Sequence, residues 1–350
     1  MLFYFGAPNI IAFPYLMEDP NILAQTHANP KPSSSTQRYM VYRNDIKYKA
    51  QNSIDLDRAV FENDEVRKDF MSDTDNIEYR IKECFREKCQ VLDVAHTSAS
   101  CTTTTCMMDR IIAHPKFPEI KNHIIIISAN DMCIPLYKTP LDFSVFSNLL
   151  SLNLSNNNLT SLPNLPVSLE ELIIDSNRIS HIPMMKHIKR IRARQNNLNR
   201  IDYAPSLESL NVSDNPELRS IISLPNLYYL DIARTGITQI PMCSNLKYLD
   251  MSETRISVLQ TLPSLCILRC EKSDLQDISA LQNLYVLMTT DSKVRTVHYM
   301  DTLQKLTYSG KHKKDIRLSS RYKVYNIVKN SNDVYDITLK AKPVVVKILN

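Results

Sequence analysis

The amino-acid sequence predicts an α/β solenoid: a curved parallel sheet lining a concave face, with a small mainly helical N-terminal region and a C-terminal β cap. Two observations predict it. A short pattern of aliphatic residues closed by an Asn or hydroxyl residue recurs at a nearly constant interval along the second half of the chain. Glycine is almost absent, with 3 in 350 residues and no two of them close together, so neither a dinucleotide-binding fingerprint nor a phosphate-cradling loop can be written anywhere.

The period is found by laying the chain on itself. The segment LLSLNLSNNNLTSLP places Leu149, Leu152, Leu154, Asn157 and Leu159 on the pattern L-x-x-L-x-L-x-x-N-x-L, and Leu162-Pro163 follow. Twenty residues on, Leu169, Leu172, Ile174, Asn177, Ile179 and Ile182-Pro183 fill the same slots. Later units open at Ile188, Leu207, Leu227, Leu246, Leu265, Leu284 and Leu303. The L-x-L core makes a short strand with one face inward, and the Asn side chain bonds the turn that follows. One such unit cannot bury its apolar face alone, so neighbours stack into a continuous core.

The slot after the strand is Asn157, Asn177, Asn196 and Asn215, and then Thr235, Thr254, Ser273 and Ser292. A hydroxyl replaces an amide only in part, so the ladder is expected to hold less tightly in the second half. Asn215-Pro216 carries one extra residue before Leu218, an insertion expected to bulge outward without breaking register. Cys270 falls in an inward slot and reads as core.

These units resemble the leucine-rich-repeat family, over about half of the chain. The first two, with LPNLPVSLEELIIDSNRISHIP from Leu162, are similar to the short LPx-type repeats of bacterial effector proteins. The later ones are similar to the short repeats of phosphatase-regulator and adaptor proteins. The resemblance implies a non-catalytic binding scaffold, in a microbial or viral effector or an adaptor. Effectors with ubiquitin-ligase activity carry a large catalytic domain after the repeats, and only about forty residues follow Gly310 here, so the resemblance does not extend to that activity.

Three regions are expected: 1–121, a mainly helical N-terminal region; 122–310, the solenoid; and 311–350, a β-hairpin cap. NHIIIISANDMCIP, from Asn122 to Pro135, fits the slots loosely through Ile125, Ile127, Asn130 and Met132, as a degenerate first unit. YKVYNIVK and VYDITLKAKPVVVKIL alternate apolar and polar residues around an Asn330–Asp333 turn, the pattern of a hairpin.

The net charge of +5 is small against 42 basic and 37 acidic residues, so it does not by itself select nucleic acid or an anionic membrane as partner. No stretch of about 18 apolar residues is present to span a bilayer, and MLFYFGAPNIIAFPYLMEDP lacks the basic start of a signal peptide. Eight cysteines are too few to staple a chain of this length, which favours reduced thiols and a cytoplasmic setting, the host cytoplasm for an effector.

Function is expected on the concave face, where residues between the consensus aliphatics point outward. One strand offers Arg190, Arg192 and Arg194; two units further lie Tyr229 and Asp231, then Tyr248 and Asp250, with Arg269 beyond. Tyr and Arg are the types that dominate interface energetics, so this block is the expected contact with a protein partner. The plain alternative is that Arg190 pairs with Asp175 or Glu171 on the neighbouring strand and the face is merely solvated. The arginines also suit phosphate groups, of nucleic acid or of a phosphorylated protein, though their acidic neighbours oppose a nucleic-acid track. Cys84, Cys89, Cys101 and Cys106 around His96 could ligate zinc, at spacings unlike the common knuckles. Cys101 or Cys106 with His96 or His114 is the one enzyme reading, a thiol nucleophile using the repeats as substrate selector. The run Lys311–Lys314, with Arg317, Arg321 and Lys323, reads as a solvated cap, a nuclear address or an anionic-surface contact. No cofactor is expected.

Overall fold

The structure is a computed structural model that describes residues 90–93, 111–131, 141–222, 224–309, 316–329 and 334–341. Among them, thirteen strands form one sheet. In chain order the strands are β1 (Val91–Asp93), β2 (Ile126–Ser128), β3 (Ser151–Asn153), β4 (Glu171–Ile173), β5 (His181–Ile182), β6 (Arg190–Arg192), β7 (Arg200–Ile201), β8 (Ser209–Asn211), β9 (Tyr229–Asp231), β10 (Tyr248–Asp250), β11 (Ile267–Arg269), β12 (Val286–Met288), β13 (Thr296–Val297), β14 (Lys305–Ser309), β15 (Arg317–Leu318), β16 (Tyr322–Lys329) and β17 (Val334–Ala341). The main sheet runs β1-β2-β3-β4-β6-β8-β9-β10-β11-β12-β14-β17-β16, parallel until the last two. The short pairs β5 with β7 and β13 with β15 lie outside that sheet.

Each repeat strand turns its central residue inward. Leu152, Leu172, Ile191, Leu210, Leu230, Leu249, Leu268, Leu287 and Leu306 are all buried at 1% exposure or less, in register from strand to strand. At about 1.5–3 kcal/mol for each fully buried aliphatic side chain, this column is a principal source of cohesion between units. Between β3 and β14 the returning segments are turns and extended pieces, because 19 or 20 residues per unit leave little chain for a helix. The α component is small among the described residues: the helical residues 111–113 and the α-helix α1 (Phe117–Ile120).

The turn after each strand has a fixed construction. Asn156, Ser176, Gln195, Asp214, Arg234, Glu253, Lys272 and Asp291 all sit at φ between 48° and 60°. A left-handed residue there redirects the chain and points the next side chain into the stack. None of the eight is glycine, so each carries some of the cost an L residue incurs in this region.

That next side chain is the Asn slot. The Asn177 amide oxygen accepts from the backbone N–H of Asn157 at 3.1 Å and of Leu159 at 2.9 Å in the preceding unit. Its NH2 donates back to the Leu154 carbonyl at 3.0 Å and to Ile174 and Asp175 in its own turn. Asn196 and Asn215 repeat the arrangement, accepting from Ile179 at 3.0 Å and Leu198 at 2.9 Å. Thr235, Thr254 and Ser273 instead donate within their own turns, to Ile232 at 2.7 Å, Met251 at 2.6 Å and Cys270 at 2.7 Å. A hydroxyl is too short to span the strand spacing of about 4.8 Å. Side-chain bonds at this slot therefore stop linking neighbouring units after Asn215, as the change from Asn to hydroxyl residues leads one to expect.

The extra residue at Asn215-Pro216 leaves the strands in register, with Ser209 opposite Tyr229. It is accommodated from the next unit, where Gly236 lies under the bulge; a Cβ there would meet the Pro216 carbonyl oxygen at 2.6 Å.

At the N-terminal end the sheet extends further than the repeats suggested, since β1 pairs in parallel with β2. Ile126 lies opposite Ser151, which puts Ile124, Ile127 and Ala129 in the inward slots at 0%, 1% and 0% exposure. Ile127 is inward as expected but takes the slot of Leu152 rather than that of Leu154, and Ile125 and Asn130 are shifted likewise; Asn130 donates to Asp131 and accepts from Ser128, and Met132 lies outside the described residues. Four consecutive isoleucines satisfy more than one register, and only pairing with β3 selects one. Phe117 on α1 packs edge-on against Phe146 at 5.5 Å and helps close this end of the core. The helical region expected over 1–121 otherwise falls mainly outside the described residues.

The C-terminal end is closed by the β16–β17 hairpin. β17 runs antiparallel to β14 and places Tyr335, Ile337 and Leu339 in the core. The Tyr322 hydroxyl is held by Met300 N–H at 2.8 Å and reaches the His298 carbonyl at 3.1 Å. The Asn330–Asp333 turn lies outside the described residues.

Candidate functional site

Strand register sorts the open face of the sheet into columns. One runs Ser151, Glu171, Arg190, Ser209, Tyr229, Tyr248, Ile267, Val286, Lys305, and a parallel one runs Asn153, Ile173, Arg192, Asn211, Asp231, Asp250, Arg269, Met288, Thr307. Two residues past each of β4 and β6, Asp175 and Arg194 continue the face.

The basic strand meets acids immediately. Arg190 Nε lies 3.2 Å from Glu171 Oε1, both buried, and the other Glu171 oxygen accepts the Ser151 hydroxyl at 2.6 Å. Arg192 forms an ion pair with Asp175, whose second oxygen accepts the Arg194 backbone N–H at 2.8 Å. Burial raises the Asp175 pKa, and the Arg192 charge opposes that shift. Arg190 thus pairs with Glu171, one of the two acids the sequence offered it.

The Tyr/Asp block packs on itself. The Tyr229 and Tyr248 rings stack at 4.5 Å with an interplanar angle of 3°, and their exposures are only 2% and 4%. They join Ile267, Val286 and Met288 in an apolar strip, flanked by half-buried Tyr228, Cys266 and Tyr285. The expectation of eight outward-reaching side chains is thus corrected for Arg190, Tyr229, Tyr248 and Asp250, which lie on the face but are buried by their neighbours. Flat packing of side chains one strand spacing apart covers each with the next. Arg192, Arg194, Asp231 and Arg269 are half-buried; Asp231 and Arg269 lie on strands of the strip, whereas Arg192 and Arg194 lie in the β6 unit, beyond β8. Sequence reasoning missed Ile267, Val286 and Met288, although they recur at the Tyr-x-Asp offsets, because aliphatics within an aliphatic repeat read as core.

Asp231 and Asp250 are register neighbours. Asp231 accepts from Ala233 N–H at 3.0 Å and from the Asn211 amide at 2.9 Å, while Asp250 accepts from Ser252 N–H at 2.9 Å and pairs with Arg269 at 3.3 Å. Burial first, and then the Asp250 charge, push the Asp231 carboxyl up to about 7. Burial likewise raises the Tyr248 hydroxyl. The folded-state pKa of Asp231 exceeds the unfolded value of about 3.9, so its contribution to stability is fully present below that value and is lost as pH rises through about 7. Asp231→Asn should therefore flatten the fall in stability between pH 5 and 8, leaving the variant ahead at the upper end by about 1–2 kcal/mol. Urea midpoints at the two pH values measure this, and an undiminished fall in the variant would assign it to other groups.

Several sequence candidates cannot be placed: Cys84, Cys89, Cys101 and Cys106, His96 and Lys311–Lys314 lie outside the described residues. Among the described residues, no group of three or more His, Cys, Asp or Glu side chains is placed to hold a metal ion. His114 accepts the Lys116 N–H at 3.2 Å. Cys270 is fully buried, and burial pushes its thiol pKa up. No helix among the described residues is long and apolar enough to cross a membrane.

Short parallel strands in register every 19 or 20 residues, each followed by a left-handed turn residue and an Asn or hydroxyl plug, decide the architecture. It is a leucine-rich-repeat solenoid. No family model matches the chain, and no curated protein does. Among solved structures it is similar to YopM from Yersinia enterocolitica, over 79% of this chain and 69% of that one, at 18% identity and a TM-score of 0.44.

Proposed function

We propose that the chain is a non-catalytic protein–protein interaction scaffold that takes a protein partner on the concave face of its sheet. The observation that carries this reading is the apolar cluster of Tyr229, Tyr248, Ile267, Val286 and Met288, packed side by side on the concave side of the sheet with charged residues on the same strands, the apolar-centre and polar-rim arrangement of an interface. Asp231, Asp250 and Arg269 share its strands and, with Arg192 and Arg194 beyond β8, supply the polar rim that fixes register in an interface. Pre-packed aromatic side chains lose little freedom when a partner covers them, which favours affinity. An effector or adaptor in a cytoplasmic compartment suits a scaffold of this kind, and the reading invokes no cofactor. The phosphate-binding alternative is weakened because Arg190 and Arg192 already face Glu171 and Asp175, carboxylates an incoming phosphate would have to displace.

The test is affinity capture from lysate with three folded chains: the intact protein, the Tyr229→Ala/Tyr248→Ala/Arg192→Ala variant, and a control changed at Val167→Glu, which is 86% exposed. Circular dichroism first confirms that all three are folded. The expected result is a partner retained by the intact chain and the control and lost by the triple variant. Equal capture by all three would move the function off this face.

A further inference from the structure

Among the described residues, the sheet ends on a strand unlike those of the repeats. β16 is the last of the thirteen, and it is eight residues long where β9 and β10 are three. Of its residues only Tyr322 is buried; Val324, Tyr325, Ile327 and Val328 are 42%, 55%, 44% and 46% exposed. Cations outnumber acids at this end among the described residues, with the exposed Asp301 acting on Tyr299 and Tyr322 beside Arg321. Arg317, Arg321, Lys323 and Lys329 are all exposed cations. Asp336, the hairpin's acid among the described residues, is half-buried on β17 and accepts the Thr307 hydroxyl at 2.7 Å.

An edge strand turns a row of backbone N–H and C=O groups outward, and soluble proteins keep such edges short, twisted or charged. β16 is long and apolar, and its charges select among occupants. A second copy laid edge to edge would bring together two edges of the same charge, each carrying Lys323 and Lys329, which is repulsive. A strand of opposite charge meets the same edge with attraction. We propose that β16 receives an extended acidic–aliphatic segment of a partner protein as an additional strand of the sheet. Its backbone pairs with the β16 edge, its aliphatic residues lie on the face that carries Val324 and Ile327, and its carboxylates lie on the opposite face, which carries Lys323. This surface is separate from the open face and does not depend on the reading given to that face.

The experiment uses the full chain and a fluorescein-labelled peptide of about ten residues alternating Val and Glu, the length of a recognised strand. Anisotropy should show saturable binding, and amide exchange of residues 323–329 should slow when peptide is added. Lys323→Glu/Lys329→Glu, at two exposed positions, should weaken binding about tenfold or more and make the matching Val/Lys peptide the better ligand. That reversal of preference distinguishes a charge-selective edge from a damaged fold. The proposal is overturned if a peptide of the same composition with its valines and glutamates in separate blocks binds equally well, or if the double variant keeps its preference for the acidic peptide. It is equally overturned if exchange slows elsewhere than in β16. Failure of the peptide together with a concentration-dependent dimer dispersed by Ile327→Glu would assign the edge to a second copy. Failure together with binding to phosphatidylserine vesicles would assign it to a membrane surface.

Discussion

Gly236→Ala is expected to destabilise the chain by about 2–4 kcal/mol, the range of a substitution that forces backbone apart in a packed interior. The added Cβ would stand 2.6 Å from the Pro216 carbonyl oxygen and 3.3 Å from that of Leu218. Both obstacles are main chain, so no side-chain rotation relieves them. Gly236 does not adopt a positive φ, so the effect is one of space rather than of backbone strain at the glycine itself. The cause is the extra residue after Asn215, which pushes the fourth unit's turn towards the fifth. Deleting Pro216 in the Gly236→Ala background should recover much of the loss, because it restores the N-x-L spacing of the other units. Urea unfolding of the three chains decides the matter; a Gly236→Ala midpoint equal to that of the parent would mean the two turns separate without cost.

The second large effect is at the Asn slot. Asn177→Ala is expected to cost about 3–4 kcal/mol, whereas Thr254→Ala is expected to cost about 1 kcal/mol, though both positions are buried. Asn177 satisfies two backbone N–H groups of the preceding unit and donates to three carbonyls. Its removal leaves several buried groups without partners at once. Thr254 makes one side-chain bond, to Met251 in its own turn, and its loss leaves one carbonyl to be satisfied. Equilibrium unfolding of the two variants measures the difference, and similar losses would show that the amide ladder adds nothing to cohesion between units.

Much of this architecture was legible because its periodicity is carried by residue type. The nine unit openings, the inward L-x-L, the change from Asn to hydroxyl residues and the C-terminal hairpin can all be read from residue classes at fixed spacing. Where class alone is degenerate, reading fails: Ile124 to Ile127 admit more than one register. At the candidate site, Arg192, Asp231 and Arg269 were identifiable by position as members of the open face. Their companions Ile267, Val286 and Met288 were not, since their composition says core while their strand position says surface.

By itself the sequence determined the repeat, its period, which residues point inward and which column each outward side chain occupies, since these follow from a strand period of two and a unit length of 19 or 20 residues. Only the tertiary structure decided which outward groups stay accessible, that Arg190 faces Glu171, that Tyr229 stacks on Tyr248, that burial beside Asp250 raises the Asp231 carboxyl, and that Gly236 lies beneath Pro216. Stacking makes residues one unit apart into spatial neighbours. Identity and offset specify that they meet, but distance, burial and charge balance are set only when the units pack against each other.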